Sequence, residues 1–127
     1  MRFHHTDDAP PALGPYSQAV EVDGWLYLSG QVALDPKTGE LIAGDFEAET
    51  RQVLNNLQAV LAAAGCTFAD VVRTTIYLID FGNFPRINEL YGAAMGDHRP
   101  ARTTIEISKL PKGAQVEIDL VAKVPSK

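Results

Sequence analysis

The sequence predicts an α+β domain: a mixed β-sheet with two helices packed on one of its faces. Three observations point there. Two segments repeat apolar residues at three- and four-residue spacing, as amphipathic helices do. The segments around them alternate apolar and polar residues or run in β-branched ones, as strands do. In chain order, strands come before, between and after the helices, an order that favours one shared sheet over two separate layers.

The first strands are YSQAVEV at 16–22 and WLYLSGQVAL at 25–34. Between them stands Asp23-Gly24, a pair that tolerates the positive φ of a tight hairpin turn. Asp35-Pro36-Lys37-Thr38-Gly39 makes a second turn, followed by a short return over ELIA. The clearest helix follows, with Phe46, Val53, Leu54, Leu57, Val60 and Leu61 on one face. Asp45 is placed to cap it, Glu47 and Glu49 suit its positive end, and Gly65 stops it. VVRTTIYLI at 71–79 is rich in β-branched residues and reads as a central strand. The second helix has Asn83 at its cap, Pro85 in its first turn and Gly96 at its end. Last comes RPARTTIEISKLPKGAQVEIDLVA at 99–122, read as a hairpin turning at Pro111-Lys112-Gly113. Ala9-Pro10-Pro11 and Pro125-Ser126-Lys127 read as loose ends.

Residues 1–127 form a single domain on this reading, long enough to bury about two-thirds of its unfolded surface. Leu26, Tyr27 and Leu28 are consecutive apolar residues, so both faces of their strand need cover. Helices cover one face; copies of the same chain are the cheapest cover for the other, which predicts a homo-oligomer. The formal net charge of −5 counts against a protein that works by neutralising phosphates. The single cysteine, Cys66, excludes an internal disulfide and a thiolate zinc site, and reads as a small packed hydrophobe. The adjacent His4 and His5 lack metal-ligand spacing, so no metal is expected. No apolar run reaches membrane-spanning length and the N-terminus lacks a signal-type core, so a soluble, cytoplasmic protein without membrane or nucleic-acid partners is expected.

Few side chains stand out for chemistry. Pro100 stiffens the approach to Arg102, whose guanidinium forms a rigid fork suited to a carboxylate; a strand-end arginine is otherwise an ordinary solvated charge. In QVEIDLVA, Val116, Ile118, Leu120 and Ala122 share one face, and Glu117, Asp119 and Val121 the other. If that second face is open, Glu117 is a solvated carboxylate; if a neighbouring subunit covers it, Glu117 must be paired or shifted in pKa. Asn88 lies between Phe84 and Tyr91 on a helical apolar stripe, as a buried amide that orients either a loop or a ligand. Gly14-Pro15 places Tyr16 at a rigid turn, fit for a pocket rim or a core edge. Ser29-Gly30 breaks an apolar strand, either for close approach of a ligand or for a bulge.

Taken together, GPYSQAV at 14–20, SGQ at 29–31, TRQVLNNLQAVLAAAG at 50–65, INELY at 87–91, RPAR at 99–102 and LPKGAQVEIDLVA at 110–122 resemble the Rid family, the YjgF-type imine deaminases. The resemblance spans nearly the whole chain. It implies a chorismate-mutase-like fold assembled as a homotrimer, its sheets facing a central barrel and a cleft at each subunit interface. It also implies cofactor-free hydrolysis of reactive 2-imino or enamine acids, such as 2-iminobutanoate, to 2-oxo acids and ammonia. In that pattern Arg102 matches the arginine that binds the substrate carboxylate, and Glu117 matches the interface glutamate that positions water. Ser29, Gly30, Tyr16 and Asn88 match the rest of the pocket. The cysteine that many deaminating members carry two residues after the arginine is Thr104 here, which alters the shape and hydrogen bonding of the pocket. A non-catalytic binder of small carboxylates and a ribonuclease or translation inhibitor are the competing readings, the last opposed by the acidic charge.

Overall fold

The computed structural model describes residues 1–126. Its single sheet contains β1 (Arg2–His4), β2 (Ala19–Val22), β3 (Trp25–Gln31), β4 (Val71–Leu78), β5 (Ala101–Glu106) and β6 (Val116–Lys123), in the spatial order β1-β2-β3-β6-β4-β5. The two helices are α1 (Phe46–Ala63) and α2 (Phe84–Met95). The fold is the mixed α+β arrangement expected: β4 and β5 are parallel, connected by the crossover through α2, and the other pairings are antiparallel.

The local signals in the first half act as their chemistry requires. Asp23 and Gly24 take φ of 54° and 80°, and the turn pairs Val22 with Trp25 and Ala19 with Leu28. Asp45 caps α1 by accepting from the Ala48 amide at 2.9 Å. The ELIA return shrinks to an isolated bridge between Leu34 and Leu41. Asn83 stands at the cap position of α2, yet its side chain makes no capping bond. Asp80 instead caps the 3-10 turn just before the helix, accepting from the Gly82 amide at 2.8 Å.

Two expectations need correction. The stretch 99–122 is not a hairpin: β5 and β6 run antiparallel, but β4 lies between them. Nine residues, 107–115, separate the two strands, and that length lets the chain step across a neighbour instead of folding back on itself. The N-terminal segment is likewise not loose. Phe3 pairs with Val20, the His4 ring meets the Glu21 carboxylate at 2.8 Å, and Gln18 holds the residues that follow. Of the tail read as a loose end, Lys127 lies outside the described residues.

The core lies between the helices and one sheet face. Leu26, Leu57, Leu61, Ile76, Leu78, Ile87 and Ile118 are all fully buried there, and Cys66 joins them as a packed thiol. Full burial of one such aliphatic side chain is worth about 1.5–3 kcal/mol. The opposite sheet face stays open, with Tyr27 47% and Ile105 40% exposed. Among the described residues, no helix is long and apolar enough to cross a membrane.

Candidate functional site

Arg102 is the second residue of β5, an edge strand, and its partner on β4 is Thr74. Thr74 is buried and shares a 2.8 Å hydrogen bond with the Tyr91 hydroxyl of α2, so this register turns Arg102 toward the helices. The guanidinium lies 5.1 Å from the Tyr91 ring centroid and 5.7 Å from that of Phe84, within cation–π range of both. Its Nη2 donates to Asn88 Oδ1 at 2.7 Å. Among the described residues no carboxylate lies within ion-pair distance of it. Asn88, Tyr91, Gly92, Arg99, Pro100 and Arg102 line a concavity of about 300 Å³. Asn88 is exposed, not buried as its place in an apolar stripe implies, because the stripe ends at the guanidinium and not in the core. Burial keeps the Tyr91 phenol protonated, pushing its pKa up against the opposing pull of Thr74, Arg102 and Arg99.

Thr104 lies two residues along β5, on the same face as Arg102 and opposite Ile76. Its Oγ1 is buried and has no hydrogen-bond partner among the described residues.

Glu117 belongs to a different surface. It sits on β6 opposite Tyr77, on the open face with Asp119 and Val121, while Val116, Ile118 and Leu120 point into the core. The pairing of β3 with β6 slips by one residue between Leu28 and Gln31, so Ser29-Gly30 forms a bulge. Glu117 fills the space this opens: a methyl group at residue 30 would lie 2.5 Å from Glu117 Oε2. The lack of a side chain at Gly30 is what lets the carboxylate occupy this space. Burial, and secondarily the negative charge of Asp119, push the Glu117 carboxyl pKa up. Ser29 Oγ donates to the Ser17 carbonyl at 2.6 Å and ties down the turn that carries Tyr16. Tyr16 is itself exposed and accepts from the Leu13 amide at 3.3 Å. Together with Pro11, Leu13 and Lys112, these residues border a cleft of about 500 Å³.

The sequence candidates therefore divide into two groups. Arg102, Asn88 and Thr104 lie on the helix side of the sheet, and Tyr16, Ser29, Gly30 and Glu117 on the open side. Two strand spacings and three residues of rise separate Arg102 from Glu117, on the order of 14 Å between backbones. Within one chain they do not meet. Sequence reasoning missed Lys112, which reaches the Glu117 cleft from a left-handed turn (φ 58°), and the apolar rim of Pro11 and Leu13. Among the described residues, no group of three or more His, Cys, Asp or Glu is placed to hold a metal ion.

A family model described as Endoribonuclease L-PSP matches residues 6–124. The chain belongs to this family, the Rid or YjgF type. Curated relatives of this Rid protein include protein DfrA of Myxococcus xanthus, 52% identical and covering 93% of this chain and 92% of its own. Human 2-iminobutanoate/2-iminopropanoate deaminase is 45% identical, covering 95% of this chain and 88% of its own. Among solved structures, the Rid-family protein YyfA of Yersinia pestis, of unknown function, superposes with a TM-score of 0.94 at 47% identity, covering 97% of this chain and 98% of that one. Escherichia coli TdcF, crystallised with bound serine, superposes at 0.91 with 32% identity, covering 98% and 100%.

Proposed function

We propose that this Rid protein hydrolyses 2-imino acids, or their enamine tautomers, to 2-oxo acids and ammonia. The observation that carries this reading is Arg102: a guanidinium stacked over two rings, steadied by Asn88, with no carboxylate at ion-pair distance among the described residues. Such a fork is set to receive a small carboxylate in a bidentate pair. Because Glu117 lies on the other sheet face, the active site is made between copies, with Arg102 of one chain meeting Glu117 and Gly30 of the next. The open sheet face bearing Tyr27 and Ile105 is the surface a second copy covers, and a homotrimer with three interface sites is the assembly we infer.

A protonated imine carbon is already electrophilic, so the site's work is to hold it and aim water at it. Water adds to the imine carbon and loses a proton to Glu117, giving a carbinolamine. Glu117 returns the proton to nitrogen and, as the C–N bond breaks, the carbinolamine hydroxyl gives its own proton to the freed Glu117 carboxylate, so that ammonia leaves behind a neutral carbonyl, the 2-oxo acid. A carboxyl with a raised pKa is a stronger base than an ordinary one, which suits it to take up the proton and hand it on. No cofactor enters this scheme. The human and rodent deaminases among the relatives support it.

Binding of a small carboxylate without turnover is the second reading, favoured by Thr104 and by the serine held in TdcF. Release of 2-oxo acid from freshly generated 2-iminobutanoate separates the two: turnover supports the deaminase, and saturable binding with no turnover rejects it. The family model's description keeps an endoribonuclease in view, against which stands the net charge of −5.

A further inference from the structure

Glu49 is 4% exposed, buried in the first turn of α1, and plays no part in the scheme above. Its Oε2 accepts from two successive backbone amides, Gln115 at 2.6 Å and Val116 at 3.2 Å. Its Oε1 accepts from the Gln115 side chain at 3.3 Å. Among the described residues it has no cationic partner, so these donors and the positive end of α1 satisfy its charge. The next residue along the chain is Glu117.

We propose that Glu49 is a positioning residue for Glu117: its carboxylate fixes the start of β6 so that Glu117 is pressed onto Gly30 in the bulge. The inference rests on the reading of Glu117 as a reactive group. Three facts favour positioning over plain support. The chain reaches β6 through the turn Pro111–Gly113, with Lys112 in a left-handed conformation, and only a long 3.4 Å bond from Ile79 N to Gln115 O ties residue 115 to the sheet. Val116, buried at 0% exposure and paired with Leu78, is the first residue of β6 and adjoins Glu117, so the amide that Glu49 holds lies one residue from the group it would position. Gly30 presents no side chain to Glu117, so the carboxylate occupies the bulge directly. Gln18 and Asn56 do similar work on the other walls of the cleft. Gln18 bonds the carbonyls of Thr6 and Pro10, and Asn56 those of Val32 and Leu34.

Release of the clamp lets water reach Glu117, and its raised pKa falls toward the ordinary carboxylate value. The groups facing Glu117 are Asp119 along β6, Tyr77 across on β4, and Tyr16 and Lys112 at the cleft rim. None of them changes in the test. The experiment follows the Glu117 carboxyl carbon by NMR titration in the full chain, for wild type, Glu49→Ala and Glu49→Gln, with kcat and KM for imine hydrolysis alongside. Expected for Glu49→Ala are a lower Glu117 midpoint and a fall in kcat of about tenfold or more with KM little changed, part of the roughly 10²–10⁴-fold a placed acid–base group supplies. Glu49→Gln, which keeps one acceptor oxygen, recovers most of both. A folded Glu49→Ala protein whose melting temperature drops while Glu117 titrates as in wild type overturns the inference. If that variant does not fold, Glu49→Met, close to isosteric and without an acceptor oxygen, takes its place, and an unchanged Glu117 midpoint there does the same. Should the wild type hydrolyse no imine, the proposed function falls, and the titration still decides the role of Glu49.

Discussion

Arg102 and Glu117 are the two charged candidates, and the fold treats them in opposite ways. Arg102 stands on an edge strand, its charge stabilised by ring faces and an amide, open to an anion. Glu117 stands on an interior strand, packed against a glycine bulge, with its ionised form disfavoured by burial and by Asp119. One surface is built to keep a charge and the other to make a charge reluctant. A reaction that anchors a carboxylate and moves a proton needs both properties.

The sharpest way to break this comparison is to test whether the two surfaces belong to different copies. Arg102→Ala and Glu117→Gln chains, each inactive alone, regain imine hydrolysis when unfolded and refolded together; no recovery places both groups in one chain. Arg102→Ala itself is expected to cost about 2–5 kcal/mol of transition-state binding, measured as kcat/KM for 2-oxo acid release. Gly30→Ala comes next: the added methyl drives Glu117 from the bulge, with an expected cost of about 1–3 kcal/mol in stability from overpacking and a large loss of kcat. Asn88→Ala removes one bond to the guanidinium and should raise KM about tenfold or less, for a loss of about 1 kcal/mol. The smallest effect concerns pH. A raised carboxyl pKa means that folding favours the protonated form. The stability this gives is present below the unfolded pKa and is lost as pH rises through the folded one. Glu117→Gln should therefore raise the melting temperature by a few degrees at pH 7 and leave it nearly unchanged at pH 4, read by calorimetry.

Local chemistry made much of the fold legible. Asp23-Gly24, Asp45 and the α1 stripe each carry their instruction within a few residues, and the structure follows them. Partner choice was harder to read. The 99–122 stretch has the right strand directions for a hairpin, and nothing in its own residues says that β4 lies between. The three-residue β1 is too short for a periodic signal and depends on His4 and Gln18 contacts made far along the chain. At the site, the residue types were legible and their sides were not: alternation assigns a strand's two faces, but only register shows that Arg102 faces α2 while Glu117 faces away. Glu49 looked like a helix-dipole charge because its loop partner lies 66 residues on.

The insertion of β6 between β3 and β4 has a consequence for how the molecule is born. Until residues 116–123 arrive, β1-β2-β3 and β4-β5 are two ribbons with no backbone ladder between them. β6 follows the other five strands in chain order, so the sheet keeps two raw edges until that segment is in place. Its completion is a single late zipping event that joins distant parts of the chain.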